Sequence, residues 1–327
     1  LSDALLHVEN LEKAFRTRGA KSAGVKAVAG VSLTLRRGET LGLVGESGCG
    51  KSTLSRLMLS LLDPDVGKVS IDKIDFTNAS GRGKRELRRR IQIVFQDALS
   101  SLNPRMTVET NVAEPMRLQG LGTAASRRAE AQRLLQVVGL RPEHGERYPH
   151  EFSGGQCQRI AIARALILKP EIIVFDEAVS ALDVSIRAQI LRLILDLQAT
   201  FGLSYIFVSH DLGVIKRICD RVAVMYMGRI VEIGPIDAVC REPKHPYTAA
   251  LLRAIPIADP RRMRVADLGQ IEGENAGEAK PHACAFEPRC PRRFEPCGKA
   301  APTLVDVGAD HRAACYLNAP ESLRGTP

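Results

Sequence analysis

Tryptophan is absent from the 327 residues, and aromatic side chains make up only 4% of them. Proteins that bind unpaired bases need rings to stack on, so this scarcity argues against a single-stranded nucleic-acid platform. Long apolar runs are missing too. A membrane-spanning helix needs roughly 18 or more consecutive apolar residues. The most apolar stretches here, 160–168 and 172–175, are broken by Arg164, Lys169 and Pro170. At the start, Asp3, His7 and Glu9 interrupt the apolar residues, so no cleavable leader is expected. No internal repeat is visible, and the paired C-x2-C spacing of zinc ribbons is lacking.

What remains is ordinary globular material. Hydrophobic residues form 45% of the chain, enough to bury a core, and the length suggests one large domain with an appendage. The net charge is +9 and the pI near 9.3, a balance that suits nucleic acid, a membrane surface or an acidic ligand. The densest basic run, Lys84-Arg85-Glu86-Leu87-Arg88-Arg89-Arg90, reads as a solvated helix face leading into a strand, with lipid headgroup contact as the alternative.

Apolar segments with strand character alternate with helical ones. Strands are expected at 7–11, 31–35, 40–44, 91–95, 172–175, 204–208, 222–225 and 228–234, and helices at 51–61, 124–138, 156–168, 185–201 and 212–219. Alternation of this kind predicts an α/β fold with a largely parallel sheet and crossover helices. Gly45, Gln96, Asp176 and His210 all fall at carboxyl ends of strands, where open α/β sheets bind ligands. After about residue 258 apolar periodicity fades and Pro, Gly, Arg and Cys rise, which marks a second, small module.

Gly45-Glu46-Ser47-Gly48-Cys49-Gly50-Lys51-Ser52 matches the phosphate-binding loop pattern, with a strand before it and a helix after. The glycines let backbone N–H groups cradle phosphates, Lys51 supplies charge to the β and γ oxygens, and Ser52 presents a hydroxyl to Mg²⁺. Asp176 and Glu177 end an apolar strand. Alone they could be a core strand with a capping acid. Beside a phosphate loop they read as a Mg²⁺ carboxylate and a group that orients the attacking water. Ser153-Gly154-Gly155-Gln156 is a second glycine-rich turn at a helix start, a further anion site. His210 at a strand end is placed for a γ-phosphate contact. Gln96, taken alone, means little, and Phe15, taken alone, reads as core.

In order and spacing these segments resemble the ATP-binding subunit of an ATP-binding-cassette (ABC) transporter. The resemblance spans 5–258, with a helical subdomain at about 97–168. It implies a P-loop NTPase fold with a mixed sheet. It makes Gly45–Ser52 the Walker A loop, with Ser47, Gly48, Cys49, Gly50, Lys51 and Thr53 as nucleotide contacts. Gln96 becomes the Q-loop residue and, with Ser52, a Mg²⁺ contact. Ser153–Gln156 is the signature, Asp176 the Walker B carboxylate and Glu177 the catalytic acid. Ser180-Ala181-Leu182-Asp183 is the D-loop and His210 the switch histidine. Phe15 matches the adenine-stacking aromatic. Phe152, Cys157, Ala178-Val179 and Ala98 depart from the commonest family residues without removing a catalytic group.

Residues 94–105, His245-Pro246-Tyr247-Thr248 and the Cys-rich tail resemble the oligopeptide/dipeptide importer branch, which includes nickel systems. The 176–183 segment is more like the second of the two ATPase subunits in those systems. This likeness implies a head-to-tail ATPase dimer, each ATP lying between one subunit's Walker A and the other's signature. It implies a second ATPase subunit, two permeases, an extracytoplasmic solute-binding protein and a place on the cytoplasmic face of the membrane.

Four cysteines at Cys284, Cys290, Cys297 and Cys315 follow C-x5-C-x6-C-x17-C within a module expected over 259–327. Spacing alone leaves a reduced unliganded set, zinc and iron–sulfur all open. The family resemblance implies a [4Fe–4S] cluster with a structural role. Two rival functions follow from the +9 charge and from ATP binding in general: an ABC protein acting on DNA or ribosomes, and a module that binds ATP without turnover. No heptad array separates Ser52 from Ser153 and only one cassette is present, against the first; Glu177 and His210 argue against the second.

Overall fold

Residues 4–15, 25–254 and 282–319 are described by the computed structural model. In chain order the elements begin with β1 (Ala4–Phe15), β2 (Val25–Arg36) and β3 (Thr40–Val44), then α1 (Lys51–Met58), β4 (Val66–Ile71), β5 (Ile74–Asp75) and α2 (Gly81–Arg90). They continue through β6 (Ile91–Val94), α3 (Ala98–Ser101), α4 (Val108–Leu118), α5 (Ala124–Val137), α6 (Gly154–Leu166), β7 (Ile172–Asp176), α7 (Val184–Phe201) and β8 (Ser204–Ser209). The chain ends with α8 (Leu212–Ile218), β9 (Arg221–Tyr226), β10 (Arg229–Pro235), α9 (Ile236–Arg241), α10 (Pro246–Arg253), β11 (Val305–Gly308) and β12 (His311–Ala313). The boundary expected at 258/259 lies outside the described residues.

Two compact units share these elements. The first comprises Leu1–Leu11, Ser32–Thr40 and Ser52–Val208. It holds β6, β7 and β8 side by side and parallel, with Ile172 opposite both Ile91 and Ser204. β7 and β8 are buried along their whole length, which is why both read as unbroken apolar runs rather than alternating ones. A small sheet runs in the order β2-β1-β4-β5. β4 and β5 pair antiparallel across Asp72-Lys73, both at positive φ (53° and 66°), the geometry of a tight hairpin turn. Glycine is absent from that turn, so no residue pattern announced it. The Asp72 N–H donates to the Leu5 carbonyl at 2.8 Å, and its carboxylate pairs with Arg37 and Arg90.

The basic run forms α2, with only Leu87 buried, and leads straight into β6, as its pattern suggested. α1 is shorter than expected. Ser60 turns left-handed at φ 50° and the Leu61 N–H returns to the Arg56 carbonyl at 2.9 Å, closing the helix before Pro64 can. Helices α3 to α6 each start on a side-chain cap: Asp97, Thr107, Thr123 and Ser153 accept the N–H of the residue three positions on.

The second unit comprises Glu12–Val31, Leu41–Lys51 and Ser209–Pro327. β3 pairs parallel with β9, from Leu41 opposite Arg221 to Val44 opposite Val224. From β9 onward the pairing is antiparallel, β9 to β10, β10 to β12 and β12 to β11. The sheet is therefore mixed. The late strands were illegible in the sequence because β11 and β12 are short and only half-buried, and they gain their order by adding to β10. Glu232 of β10 is fully buried. Its carboxylate accepts the N–H of Lys244 (2.8 Å) and of His245 (2.9 Å) and meets His311 Nε2 at 2.8 Å, so the acid fastens the Cys-rich tail to this strand.

Candidate nucleotide site

β3, buried at every residue, delivers the chain into the glycine-rich loop, and α1 leaves it. The glycines are required by close backbone approach. A Cβ at Gly45 would lie 2.2 Å from the Met225 carbonyl oxygen, and at Gly50, where φ is 107°, one would lie 2.1 Å from that of Ala27. Lys51 is 4% exposed, and its ammonium donates to the carbonyls of Gly45 (2.7 Å) and Glu46 (2.9 Å). The loop thus curls around its own cation. Cys49 lies beneath, and burial pushes its thiol pKa up, so it packs as a neutral group.

Within the first unit, the Ser52 hydroxyl donates to Asp176 Oδ1 at 3.2 Å. Asp176 ends β7 and is 8% exposed. A hydroxyl and a carboxylate held together at the start of a phosphate-loop helix form the oxygen set a Mg²⁺ ion takes. Thr53 follows in the first turn of α1.

Glu177 is a non-glycine residue at φ 51°. Its N–H donates to the Val208 carbonyl at 3.1 Å, and its own carbonyl accepts from Ser180 N–H (3.1 Å) and Ser180 Oγ (2.8 Å). Left-handed backbone costs about 1–3 kcal/mol in such a residue, and here three hydrogen bonds enforce it. Gln96 Nε2 donates to Ser180 Oγ at 3.4 Å, bringing the strand-end glutamine to the same turn.

Ser153 caps α6. Its Oγ accepts the Gln156 N–H (3.4 Å), and Gln156 Oε1 accepts the Ser153 N–H (3.0 Å). The Gln156 side chain, expected among the nucleotide contacts, is therefore occupied in the cap. Ser153 and Gly154 are exposed at the helix N-terminus, where backbone donors and the helix dipole favour an anion. Asp183 stands exposed at the N-terminus of α7. In the second unit, His210 is exposed after β8, and Asp211 beside it caps α8 by accepting the N–H groups of Gly213 and Val214. Phe15 ends β1 and is 44% exposed, a position open to a ligand rather than the core place that the residue alone suggested.

Sequence patterns missed a set of residues that brace the phosphate loop. Tyr247 is fully buried and its hydroxyl accepts the Glu46 N–H at 2.9 Å, while Arg289 pairs with the Glu46 carboxylate. The signal was there only as the His245–Thr248 segment, which pointed to a subfamily and not to a contact.

Cys284, Cys290, Cys297 and Cys315 are all unpaired and line one cavity together with Phe286, Phe294 and Tyr316. The cavity, about 10 Å³, has room for one water molecule at most. Burial pushes up the thiols of Cys284 and Cys290, and that of Cys315 to about 11, which favours their neutral form. Among the described residues no group of three or more Cys, His or acidic side chains is arranged to hold a metal. The expected ligands share one cavity, then, but do not form a coordination shell.

Residues 28–180 match the family described as ABC transporter, and residues 231–297 match the oligopeptide/dipeptide transporter C-terminal region. Over 325 residues, 98% of this chain and 92% of the relative, the sequence is 48% identical to the probable peptide ABC transporter ATP-binding protein of Sinorhizobium fredii. The chain belongs to the ABC transporter ATP-binding family. A Bacillus subtilis protein provisionally named for oligopeptide transport ATP binding is 45% identical over 96% of this chain and 95% of its own length.

Among solved structures, an ATP-binding cassette captured as a dimer in a post-hydrolysis state with ADP and Pi superposes with a TM-score of 0.64 at 29% identity, covering 71% of this chain and 98% of that one. A Clostridium perfringens component of an ABC transporter complex gives a TM-score of 0.64 at 29% identity, over 73% of this chain and 92% of that one. This ABC cassette is an ATPase, with ATP as the ligand of the family. The C-terminal match begins inside β10 and stops at Cys297, so it includes Arg289 and three of the four clustered cysteines, and leaves out Cys315. No helix among the described residues is long and apolar enough to cross a membrane.

Proposed function

We propose that this ABC ATPase powers the import of peptides through separate membrane-spanning permease subunits. The observation that carries the reading is the hydrogen bond between Asp176 and Ser52, the residue that follows the phosphate-loop lysine in sequence, in a chain aligned over 98% of its length with a peptide-transport ATP-binding protein.

In this reading Lys51 and the loop N–H groups hold the β- and γ-phosphates, and Phe15 stacks on the adenine. Ser52, Asp176 and Gln96 would hold a Mg²⁺ ion, which would supply positive charge to offset that of the phosphate oxygens. Glu177 orients and polarises the attacking water, and the imposed backbone at that residue fixes where its carboxylate starts. His210 contacts the γ-phosphate. The Ser153-Gly154-Gly155 turn, exposed at Ser153 and Gly154, meets with Asp183 the nucleotide held by a second ATPase subunit. ATP then closes the dimer and hydrolysis reopens it.

A cavity of about 450 Å³ in the first unit, lined by Arg88, Gln92, Asn103, Met106, Pro115 and Leu118, supports docking of a permease segment, with Leu118 64% exposed at its rim. Two permeases, an extracytoplasmic solute-binding protein and a peripheral site on the cytoplasmic face of the membrane complete the assembly. We further propose that Cys284, Cys290, Cys297 and Cys315 hold a [4Fe–4S] cluster. Such a cluster, when bound, would draw the thiols into thiolate ligation and staple the tail. The shared cavity and the all-thiol donor set favour this. The small volume means that the four thiols must move apart to accept it.

Replacement of Glu177 by Gln tests the function. The variant is expected to lose ATP hydrolysis by about 10²–10⁴-fold and to accumulate an ATP-dependent dimer. With the permeases in vesicles, wild type should accumulate peptide only with ATP. Peptide uptake without ATP, or undiminished hydrolysis by the variant, would overturn the proposal.

A further inference from the structure

The carboxylate at the second position of the phosphate loop is held by the Cys-rich tail. Arg289 sits in a short 3₁₀ turn, Glu287–Arg289, directly before Cys290. Its guanidinium reaches Glu46 through both ends of the fork: Nη1 donates to Oε2 at 2.8 Å and Nη2 to Oε1 at 3.1 Å. Nη1 also approaches the Tyr226 hydroxyl at 3.4 Å, and the guanidinium carbon lies 5.8 Å from the Tyr226 ring centroid. Arg289 is largely buried, with 15% of its side chain exposed against 37% for Glu46. Phe286, on the same turn, packs against Tyr226 (5.3 Å) and Tyr247 (5.5 Å), and Tyr247 accepts the Glu46 N–H. The tail therefore grips the side chain of Glu46 directly through Arg289, and its Phe286 packs against Tyr247 of α10, which holds the Glu46 backbone.

A carboxylate in a loop that must receive a triphosphate opposes binding, because like charges at close range repel. A bidentate arginine removes that opposition more completely than a lysine would, since the fork fixes both oxygens. We propose that Arg289 is a positioning residue for ATP binding, which neutralises Glu46 and fixes its carboxylate so that the C-terminal module sets the nucleotide affinity of the phosphate loop. The inference rests on the assignment of Gly45–Ser52 as the loop that holds ATP, and it needs no metal in the tail.

The experiment is equilibrium binding of a fluorescent ATP analogue to the full-length chain at low and high salt, for wild type, Arg289→Ala, Arg289→Lys, Glu46→Gln, Arg289→Ala with Glu46→Gln, and Lys51→Ala. Arg289→Ala is expected to weaken binding about tenfold, in line with loss of a charge-assisted pair. Arg289→Lys should fall between it and wild type. Adding Glu46→Gln to Arg289→Ala should restore affinity to within about threefold of wild type, and the defect of Arg289→Ala should shrink at high salt. Wild-type affinity in Arg289→Ala, or a defect that Glu46→Gln leaves in place, would overturn the proposal; the latter would make Arg289 a structural brace only. Should Arg289→Ala fail to fold, Arg289→Lys with and without Glu46→Gln supplies the same comparison. Lys51→Ala separates the two levels: unchanged binding there would overturn the loop assignment itself, whatever Arg289 does.

Discussion

Ser52 Oγ and Asp176 Oδ1 lie 3.2 Å apart although 124 positions separate them in sequence. One is at the start of α1 and the other at the end of β7. Asp176→Asn keeps the shape and removes the charge, and should cut ATPase activity about 10²-fold or more with a raised Mg²⁺ requirement. Ser52→Ala should act in the same direction, and the pair should be non-additive. A titration of hydrolysis rate against Mg²⁺ for the two single variants and the double variant reads this directly.

Glu177 combines an expected catalytic role with a backbone that disfavours any side chain. Glu177→Gly should abolish hydrolysis and yet leave the fold as stable as wild type or more stable, by up to about 1 kcal/mol, because glycine accepts φ 51° without cost. Thermal unfolding of the variant beside Glu177→Gln, which keeps the strain, gives the comparison. A clear loss of stability in Glu177→Gly alone would show that the backbone there is not strained.

Ser153 has two tasks that can be told apart. As a cap, its loss to Ala should cost about 0.5–2 kcal/mol of stability. As a contact to the partner's nucleotide, the same change should prevent ATP-dependent dimer formation while the isolated subunit still binds ATP at its own loop. Size-exclusion of the dimer and nucleotide binding by the monomer measure the two effects separately.

Glu171 accepts from Arg90 and from Arg37, the latter at 2.8 Å, and these bonds, Arg90 first, hold its carboxyl below the usual range. A lowered folded pKa means that the stabilisation is complete above the unfolded value near 4.5 and is lost as pH falls through the folded one. The group is about a third exposed, so solvent screening keeps the effect at roughly 1 kcal/mol or less. Glu171→Gln should melt lower than wild type at pH 7, and the two melting curves should approach each other as pH falls below the ordinary carboxylate value and through the lowered folded one.

The tail yields a metal prediction. Chain purified without oxygen should be brown and contain iron and sulfide in equal amounts, and Cys297→Ser should lose both. Stoichiometric zinc without iron would exclude the cluster. Chelation of the metal should lower thermal stability, because binding energy at such a site is folding energy.

Much of the cassette was legible because its signals are local. β3 was expected over 40–44 and occupies Thr40–Val44, and α5 was expected over 124–138 and occupies Ala124–Val137. An apolar run with β-branched residues, or a capping threonine before a helical stretch, carries its own physical reason within a few residues. The β4–β5 hairpin was missed because Asp72-Lys73 lacks the glycine that usually announces such a turn, and the conformation is enforced by partners elsewhere in the unit. The strands β11 and β12 were missed because their order comes from β10 and not from their own composition.

By itself the sequence determined the chemistry on offer: a phosphate loop, an acidic strand end, a capped glycine-rich helix start and four thiols. Residue type and short spacing are enough to specify these, since each acts through its own backbone and immediate neighbours. Only the tertiary structure decided which of them meet. It set Asp176 against Ser52, drew Gln96 to the turn after Glu177, gathered four cysteines around one tight cavity and brought Arg289 onto Glu46 across 243 positions. Contacts at such separation depend on how strands are ordered and what they bury, and pairwise spacing along a chain carries no record of that.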